Sequence, residues 1–303
     1  TQYTTQPADN ATFATAKAAL LAGLNDTDAT AETRGTLPLS LKMVRTTTTA
    51  ATDLLLDTYT GAAAAYSVRK LDKDYTGYCM KVREDSGDTE ADIGFDSNGD
   101  LDTAAIATHC GSANGYVSVW YDQANVGGTP NNATQSTSGN QPQIYDGTAV
   151  ITENGKPVIT CGNGQQFQFT DASGTNNTWT AVIKSNNATN CLISTDISNA
   201  ALGLSQSGST ATDFGFGTVT YFVDGSSFTF TRGNMYTAAQ SQILFTAITG
   251  DPSRLTLSTG FGNATTFYSY NMQELIQWPV DQTSPTNNRT GIESDINTYF
   301  SIY

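Results

Sequence analysis

From Leu54 to the end of the chain, short apolar or alternating runs are separated by Gly, Asn, Asp and Pro. Alternation with a period of two is the pattern of a strand with one buried face, and turn residues at this spacing are typical of antiparallel sandwiches. The pattern therefore predicts an all-β protein built from two packed sheets. The predicted strands cover residues 63–70, 79–83, 91–95, 116–122, 157–160, 179–184, 191–195, 218–223, 241–249, 254–259 and 271–278.

Two helical segments interrupt this pattern. Asp102 is positioned to cap a helix over residues 103–109, and Gly111 is positioned to end it. The C-terminal segment has apolar residues at helical spacing, which predicts a closing helix. Its apolar stripe consists of Ile292, Ile296, Tyr299 and Phe300.

Residues 1–50 follow a different pattern. Asn10 can cap a short amphipathic helix, and apolar residues alternate over 37–43 before a Thr-rich run. Neither element has an obvious core of its own, so each needs a surface on which to pack. We therefore predict two parts, an N-terminal helix and strand arm for docking (1–50) and a sandwich domain (51–303).

Five segments occur in order between residues 63 and 147: AYSVRKL, ADIGF, GDLDTAAIATHC, YVSVWYDQ and NNATQSTSGNQPQI. In this order they resemble the concanavalin A-like catalytic domain of family 54 α-L-arabinofuranosidases, and more closely the non-catalytic relatives of that domain in phage virion and tail proteins. The segment MQELIQWPVDQTSPTNNRTGIESDINTYF also resembles the last strand and helix of those viral relatives. The resemblance implies a concanavalin A-like jelly-roll sandwich with a C-terminal helix.

Composition limits the partners. Charged residues make up only 14% of the chain, and 28 acidic residues outnumber 14 basic ones to give a net charge of −14. A negative surface repels phosphate backbones and anionic headgroups, which argues against nucleic acid and membranes as partners. No run approaches the roughly 20 apolar residues that a membrane-spanning helix needs.

The carboxylates argue against catalysis. Retaining glycosidases use two carboxyl groups about 5 Å apart. In the arabinofuranosidases that the chain resembles, the catalytic carboxylates follow the WYDQ region and the nucleophile is a Glu. Between Ile159 and Gln273 this chain has no Glu, so we assign no catalytic residue. The carboxylates in that region are Asp171, Asp196, Asp213, Asp224 and Asp251.

A possible ligand-binding group is formed by Trp120, Tyr121, Asp122 and Gln123. Aromatic faces stack on sugar rings, and carboxylate and amide groups bind hydroxyls. Residues of these types at a strand end also pack the core and cap the following loop, and this structural interpretation is the favoured one. The other aromatic residues considered for sugar stacking are Trp179, Tyr221 and Trp278.

The sequence has four cysteines, and they lack the spacing of a zinc site: Cys79, Cys110, Cys161 and Cys191. They therefore form one or two disulfides or remain buried thiols. Four cysteines can pair in three ways, and all three pairings remain open.

The leading functional hypothesis is a structural or decorating protein of a virus particle. It would be located on the virion surface or outside the cell, with the sandwich facing outward. Its partners would be other copies of itself and neighbouring virion proteins, and cell-surface glycans are a further candidate. The alternatives are a glycan-binding attachment module and an arabinofuranosidase-like hydrolase.

A calcium loop is the one cofactor site that the sequence leaves open. Asp96, Asn98 and Asp100 alternate as calcium ligands do, although the pattern departs from the EF-hand at Leu101 and Ala107. A plain turn leading into the capped helix is the favoured interpretation, and we expect no cofactor.

A chelator distinguishes the two interpretations of residues 96–100. If the loop is a plain turn, adding EDTA leaves the thermal midpoint of unfolding unchanged, because no bound ion contributes to stability. A lower midpoint with EDTA, restored by excess calcium, would contradict the plain turn.

Overall fold

The computed structural model of this protein describes residues 53–124, 128–162, 165–169, 177–185, 193–194, 220–228, 241–248, 255–257, 270–282 and 288–303. Within these ranges the chain is an all-β sandwich with three α-helices, α1 (Leu55–Thr58), α2 (Thr103–Cys110) and α3 (Asn288–Phe300). None of the helices in the described part is long and apolar enough to span a membrane. The strands are β1 (Ala64–Ser67), β2 (Met80–Glu84), β3 (Glu90–Ile93), β4 (Asn114–Trp120), β5 (Ala133–Thr134), β6 (Gln143–Asp146), β7 (Thr152–Glu153), β8 (Lys156–Pro157), β9 (Ile159–Cys161), β10 (Phe167–Phe169), β11 (Asn177–Ser185), β12 (Ile193–Ser194), β13 (Thr220–Val223), β14 (Ser226–Phe228), β15 (Ser241–Ile248), β16 (Leu255–Leu257) and β17 (Tyr270–Trp278).

A continuous antiparallel ladder of 15 strands forms both layers of the sandwich. In the first layer β17 is central. It pairs with β11 on one side and with β1 and β9 on the other. Strands β15, β13 and β14 follow β11 in that order. In the second layer β4 pairs with β2 on one edge and with β5 and β6 on the other. β3 lies beyond β2, and β10, β16 and β12 continue beyond β5. β6 also pairs with β9 and so connects the two layers.

Aromatic side chains fill the space between the layers. The ring centroid of Tyr66 on β1 lies 5.7 Å from that of Trp120 on β4 and 5.3 Å from that of Phe169 on β10. Phe169 in turn lies 6.4 Å from Trp179 on β11. Since these side chains are buried, their contacts form the core that the alternating pattern predicts.

A buried ion pair joins the first layer to helix α3. Arg69, two residues after β1, donates through Nε to Oε2 of Glu274 on β17 at 2.8 Å, and through Nη1 to Oδ1 of Asp295 on α3 at 2.7 Å. Ser67 Oγ donates to the same Glu274 oxygen at 2.7 Å. Burial alone lowers the pKa of Arg69, but the charges and hydrogen bonds of Glu274 and Asp295 outweigh it and raise that pKa. The guanidinium therefore stays charged in the interior.

Two further contacts fix the end of α3. The Tyr299 hydroxyl donates a hydrogen bond to the Asp100 carboxylate. Asn154 Nδ2 donates to the carbonyl oxygens of Phe300 and Ser301 at 2.6 and 2.8 Å. Helix α3 is thus attached to the sandwich along its length and not only by its apolar stripe.

The predicted elements within the described residues are confirmed. Each of the eleven predicted strands has a counterpart in the structure. Asp102 caps α2 by accepting from the Ala105 N–H at 2.9 Å, and Gly111 follows with a φ of 58°. Ile292, Ile296 and Phe300 of α3 are buried.

The pattern missed several short elements, although it predicted the two-residue β12 and the three-residue β9 and β16. The missed strands β5, β6, β7, β10 and β14 contain two to four residues, and α1 contains four, so each shows little periodicity of its own. Residues 1–50 lie outside the described residues, so the docking arm stays a prediction.

The described cysteines are buried thiols. Cys79, Cys110 and Cys161 are free and buried, while Cys191 lies outside the described residues. Burial raises the pKa of Cys110 to about 11 and that of Cys161 to about 12, and it raises the pKa of Cys79 as well. These thiols are protonated at neutral pH and therefore poor nucleophiles.

Replacing Arg69 tests the buried ion pair. We expect R69M to lower the free energy of unfolding by about 3–5 kcal/mol, because it leaves the fully buried Glu274 carboxylate without its cation. The double variant R69M/E274L should recover most of this loss, since both charges are then removed. Urea titration followed by tryptophan fluorescence measures both changes.

The matched control is K73M. Lys73 pairs with Asp57 at 2.9 Å, but its side chain is 41% exposed, and exposed pairs contribute about 1 kcal/mol or less. A loss for R69M no larger than that for K73M would contradict the role given to the buried pair.

Candidate functional site

The start of β2 and the ends of β3 and β4 lie side by side at one end of the second layer. In the antiparallel register Met80, the first residue of β2, pairs with Ile93 at the end of β3 and with Trp120 at the end of β4. The ladder continues one residue further, because the Cys79 N–H donates to the Ile93 carbonyl at 2.8 Å and the Tyr121 N–H donates to the Cys79 carbonyl at 3.0 Å. The residues that flank these ends are therefore brought together.

Four aromatic residues occupy this edge, and we call them the tyrosine patch: Tyr75, Tyr78, Phe95 and Tyr121. The rings of Tyr78 and Tyr121 have centroids 6.3 Å apart with an interplanar angle of 45°, and Tyr75 and Phe95 form an edge-to-face pair at 6.4 Å. Tyr78 is 51% exposed, and the other three are half-buried. The patch is thus an aromatic surface open to solvent.

The loop before β2 holds its aromatic residues in place. The Tyr75 hydroxyl donates to the Tyr78 carbonyl at 2.8 Å, which closes the loop. Gly77 permits this arrangement, since a Cβ at that position would lie 2.5 Å from the Tyr75 hydroxyl oxygen. Any larger residue at position 77 would displace the Tyr75 ring.

Polar groups border the patch on the outer face of β2 and β3. The Tyr121 hydroxyl donates to Asp92 Oδ1 at 2.6 Å. Lys81 lies directly opposite Asp92 in the ladder, with its Nζ 3.8 Å from the same oxygen. Burial, followed by the hydrogen bond to Asp92, raises the pKa of Tyr121, so the phenol keeps its proton at neutral pH.

Two buried side chains at the end of β4 and just after it lie next to this exposed surface. Trp120 is fully buried and donates from Nε1 to the Ser67 carbonyl at 3.3 Å. Gln123 is also fully buried: its Oε1 accepts from the Leu71 N–H at 2.9 Å, and its Nε2 donates to the Arg69 carbonyl at 3.0 Å. Both side chains tie the end of β4 to β1 and the segment after it.

The Asp122 carboxylate organises the loop that follows β4. Its Oδ1 accepts from the N–H groups of Ala65 and Ala124 at 2.8 and 2.9 Å, and its Oδ2 accepts from the Asn131 N–H at 3.0 Å. Asp122 is 2% exposed. The carboxylate is therefore directed at the protein's own backbone.

The four predicted ligand-binding residues thus divide into two groups. Tyr121 lies in the patch with part of its side chain accessible, whereas Trp120, Asp122 and Gln123 lie in the interior. Ligand binding by this group remains a prediction, and Tyr121 is the member positioned for it. Sequence reasoning missed Tyr75, Tyr78 and Phe95. The available signal was that Tyr78 directly precedes the predicted strand 79–83, Tyr75 lies in the turn segment before it, and Phe95 ends the predicted strand 91–95.

The tryptophans considered for sugar stacking are internal. Trp120, Trp179 and Trp278 are each at most 1% exposed, so their faces are covered by protein and cannot stack on a ligand. The side chain of Tyr221 lies outside the described residues.

The predicted calcium loop is a turn in this structure. Asp96 Oδ1 accepts from the N–H groups of Asn98 and Asp100 at 2.8 and 3.0 Å, and these bonds lower the pKa of Asp96. The Asp100 carboxylate accepts from the Tyr299 hydroxyl. The turn thereby supports helix α3, and calcium binding here stays the alternative hypothesis.

The most buried glutamates of the described part carry internal bonds. Glu274 binds Arg69 and Ser67, and Glu153 accepts from Lys184 Nζ at 3.0 Å. Glu84 accepts from side-chain and backbone donors in its own turn, Ser86 first among them, and its pKa is lowered. Burial raises the pKa of Glu293, as in a general acid, but its Oε2 accepts from Arg289 at 2.6 Å.

The aspartates of the region where the resemblance would put catalytic groups are only partly described. Asp224 lies in the turn between β13 and β14 with a φ of 49°. Asp171, Asp196, Asp213 and Asp251 lie outside the described residues.

Comparison with solved structures shows the fold. A point mutant of a glycoside hydrolase family 54 α-L-arabinofuranosidase, soaked with 4-nitrophenyl α-L-arabinofuranoside, matches with a TM-score of 0.52 at 15% identity. An arabinofuranosidase complexed with arabinofuranosyl-α-1,2-xylobiose matches with a TM-score of 0.51 at 16% identity. Each match covers 78% of this chain but only 62% of the enzyme chain. No family model and no curated protein matches the sequence. The likeness supports the predicted sandwich fold and does not extend to activity.

Proposed function

We propose that this chain is a non-catalytic glycan-binding module that contacts sugars through the tyrosine patch. The observation that carries the proposal is the pair of rings of Tyr78 and Tyr121, 6.3 Å apart on an exposed edge, with Asp92 bonded to one of them. Tyrosine offers an apolar face for the C–H groups of a sugar ring and a polar group at its tip. Asp92 adds an acceptor for sugar hydroxyls.

The geometry of the patch favours a shallow contact with a sugar chain. The rings are contributed by residues beside three different strands, so the surface is broad and open. Its supporting residues, Trp120 and Gln123, are fully buried. A rigid platform of this kind loses little conformational entropy on binding, which favours recognition of a flexible oligosaccharide.

We extend the proposal to a structural or decorating protein of a virus particle, which would display the module on the virion surface. The support is the resemblance of residues 63–147 and of the C-terminal segment to phage virion and tail proteins. In this proposal residues 1–50 dock on other copies of the chain or on neighbouring virion proteins.

The substitution Y78A tests the patch. On an array of neutral, sialylated, sulfated and uronic-acid oligosaccharides we expect the unmodified protein to bind a subset above background. For the strongest of these we expect Y78A to weaken the Kd about tenfold, equivalent to about 1.4 kcal/mol, because one stacking face is removed.

The control substitution is Y303A. Tyr303 is 53% exposed, close to the 51% of Tyr78, and lies outside the patch. It should leave the Kd unchanged. The proposal fails if the protein binds no glycan on the array, or if Y78A and Y303A weaken binding equally.

Hydrolysis of arabinofuranosides is the second candidate, because the solved structures that share this fold include arabinofuranosidases. We expect no release of nitrophenol from 4-nitrophenyl α-L-arabinofuranoside above the uncatalysed rate, because the buried carboxylates of the described part are bonded internally. Release that increases in proportion to protein concentration, and that is absent with heat-denatured protein, would contradict the non-catalytic proposal.

A further inference from the structure

From the charges around the tyrosine patch we infer that its ligands are uncharged glycans and that it discriminates against sialylated, sulfated and uronic-acid sugars. This inference rests on the proposed function and adds the class of sugar. It is carried by the position of Asp92 on the patch and by the charges on the neighbouring strands.

Carboxylates dominate the border of the patch. Asp92 contacts Tyr121 directly, and Glu90, two residues earlier on β3, lies on the same face of the strand and is exposed. Asp74 precedes Tyr75 in the sequence and is exposed, and its carboxylate lies close to those of Asp57 and Asp72. The charges of Asp92 and Glu90 reach the Tyr121 ring: after burial and the contact with Asp92, Glu90 also contributes to the raised pKa of Tyr121.

The neighbouring cations offset only part of this charge. Arg83 lies directly opposite Glu90 in the ladder, but its Nη1 is bonded to Asp88 Oδ1 at 2.6 Å. Lys81 is 3.8 Å from Asp92 Oδ1 and balances one carboxylate. Lys73 lies next to Asp74 in the sequence and interacts with its charge, but the stronger interaction of its Nζ is the bond to Asp57 Oδ1 at 2.9 Å. The chain as a whole carries a net charge of −14. An anionic sugar therefore meets repulsion both on approach and at the patch.

The same arrangement suits a neutral sugar. Asp92 Oδ1 is occupied by Tyr121, and among the described residues no hydrogen bond is made to Asp92 Oδ2. A carboxylate oxygen is an acceptor only and selects a hydroxyl donor. A sugar carboxylate or sulfate in that position would bring two anions together without a proton to share.

The experiment compares matched pairs of oligosaccharides that differ only by a terminal sialic acid or by one sulfate group. We expect the neutral member to bind the unmodified protein at least about fivefold more tightly at low salt. The difference should become smaller in about 0.5 M NaCl, because salt screens exposed charges. The substitution D92N should bring the two members closer together while keeping an acceptor for Tyr121.

The control is D88N. Asp88 is exposed and lies in the turn at the opposite end of the hairpin formed by β2 and β3. Its φ is 57°, a conformation that Asn tolerates well. The substitution removes one carboxylate charge, as D92N does, at a site where Asp88 pairs with Arg83 at 2.6 Å and contacts no ring of the patch, so it should leave the preference unchanged.

The outcomes separate this inference from the proposed function. Equal or tighter binding of the anionic member overturns the inference and leaves glycan binding intact. An unchanged preference in D92N, or an equal change in D88N, overturns the role of Asp92. Failure of both members of every pair to bind overturns the proposed function itself.

Discussion

The antiparallel register at the start of β2 is the constraint on which the candidate site depends. Met80 pairs with both Ile93 and Trp120, so the ends of β3 and β4 lie on either side of the start of β2. Side chains alternate across a strand, and the outward positions beside these ends therefore become neighbours. A shift of one residue in the pairing of β2 with β4 would turn Tyr121 inward and expose Trp120.

Buried polar groups protect this register. Trp120 and Gln123 bond to backbone carbonyls of the segment from Ser67 to Arg69, and Asp122 accepts from the backbone on both sides of the core. Arg69 continues from that segment into the ion pair with Glu274 and Asp295. Arg69 therefore takes part in both sets of contacts: its carbonyl accepts from Gln123 beneath the patch, and its guanidinium binds Asp295 of helix α3. A rigid edge of this kind is suited to binding a ligand with little rearrangement.

The sandwich could be predicted because its signals are local. Alternation, turn residues and caps such as Asp102 lie within a few residues of one another, and they identified eleven strands and helices α2 and α3. The pairing of Arg69 with Glu274 joins residues 205 positions apart, and no local pattern indicates it. Strands of two or three residues, such as β5 and β10, are fixed by their partners and not by periodicity.

The patch was only partly predictable for the same reason. Tyr121 was singled out together with Asp122, yet alternation turns the first outward, and the Asp122 carboxylate accepts from backbone N–H groups, that of Asn131 among them. Recognising Tyr75 and Tyr78 as neighbours of Tyr121 required the register of β2 against β4, which the sequence does not specify. A crystal structure of the protein with the neutral oligosaccharide that it binds most tightly tests the central claim most directly. Our account predicts a sugar ring stacked on Tyr78 or Tyr121 with a hydroxyl within hydrogen-bond distance of Asp92, whereas a sugar bound elsewhere with the patch left open would contradict it.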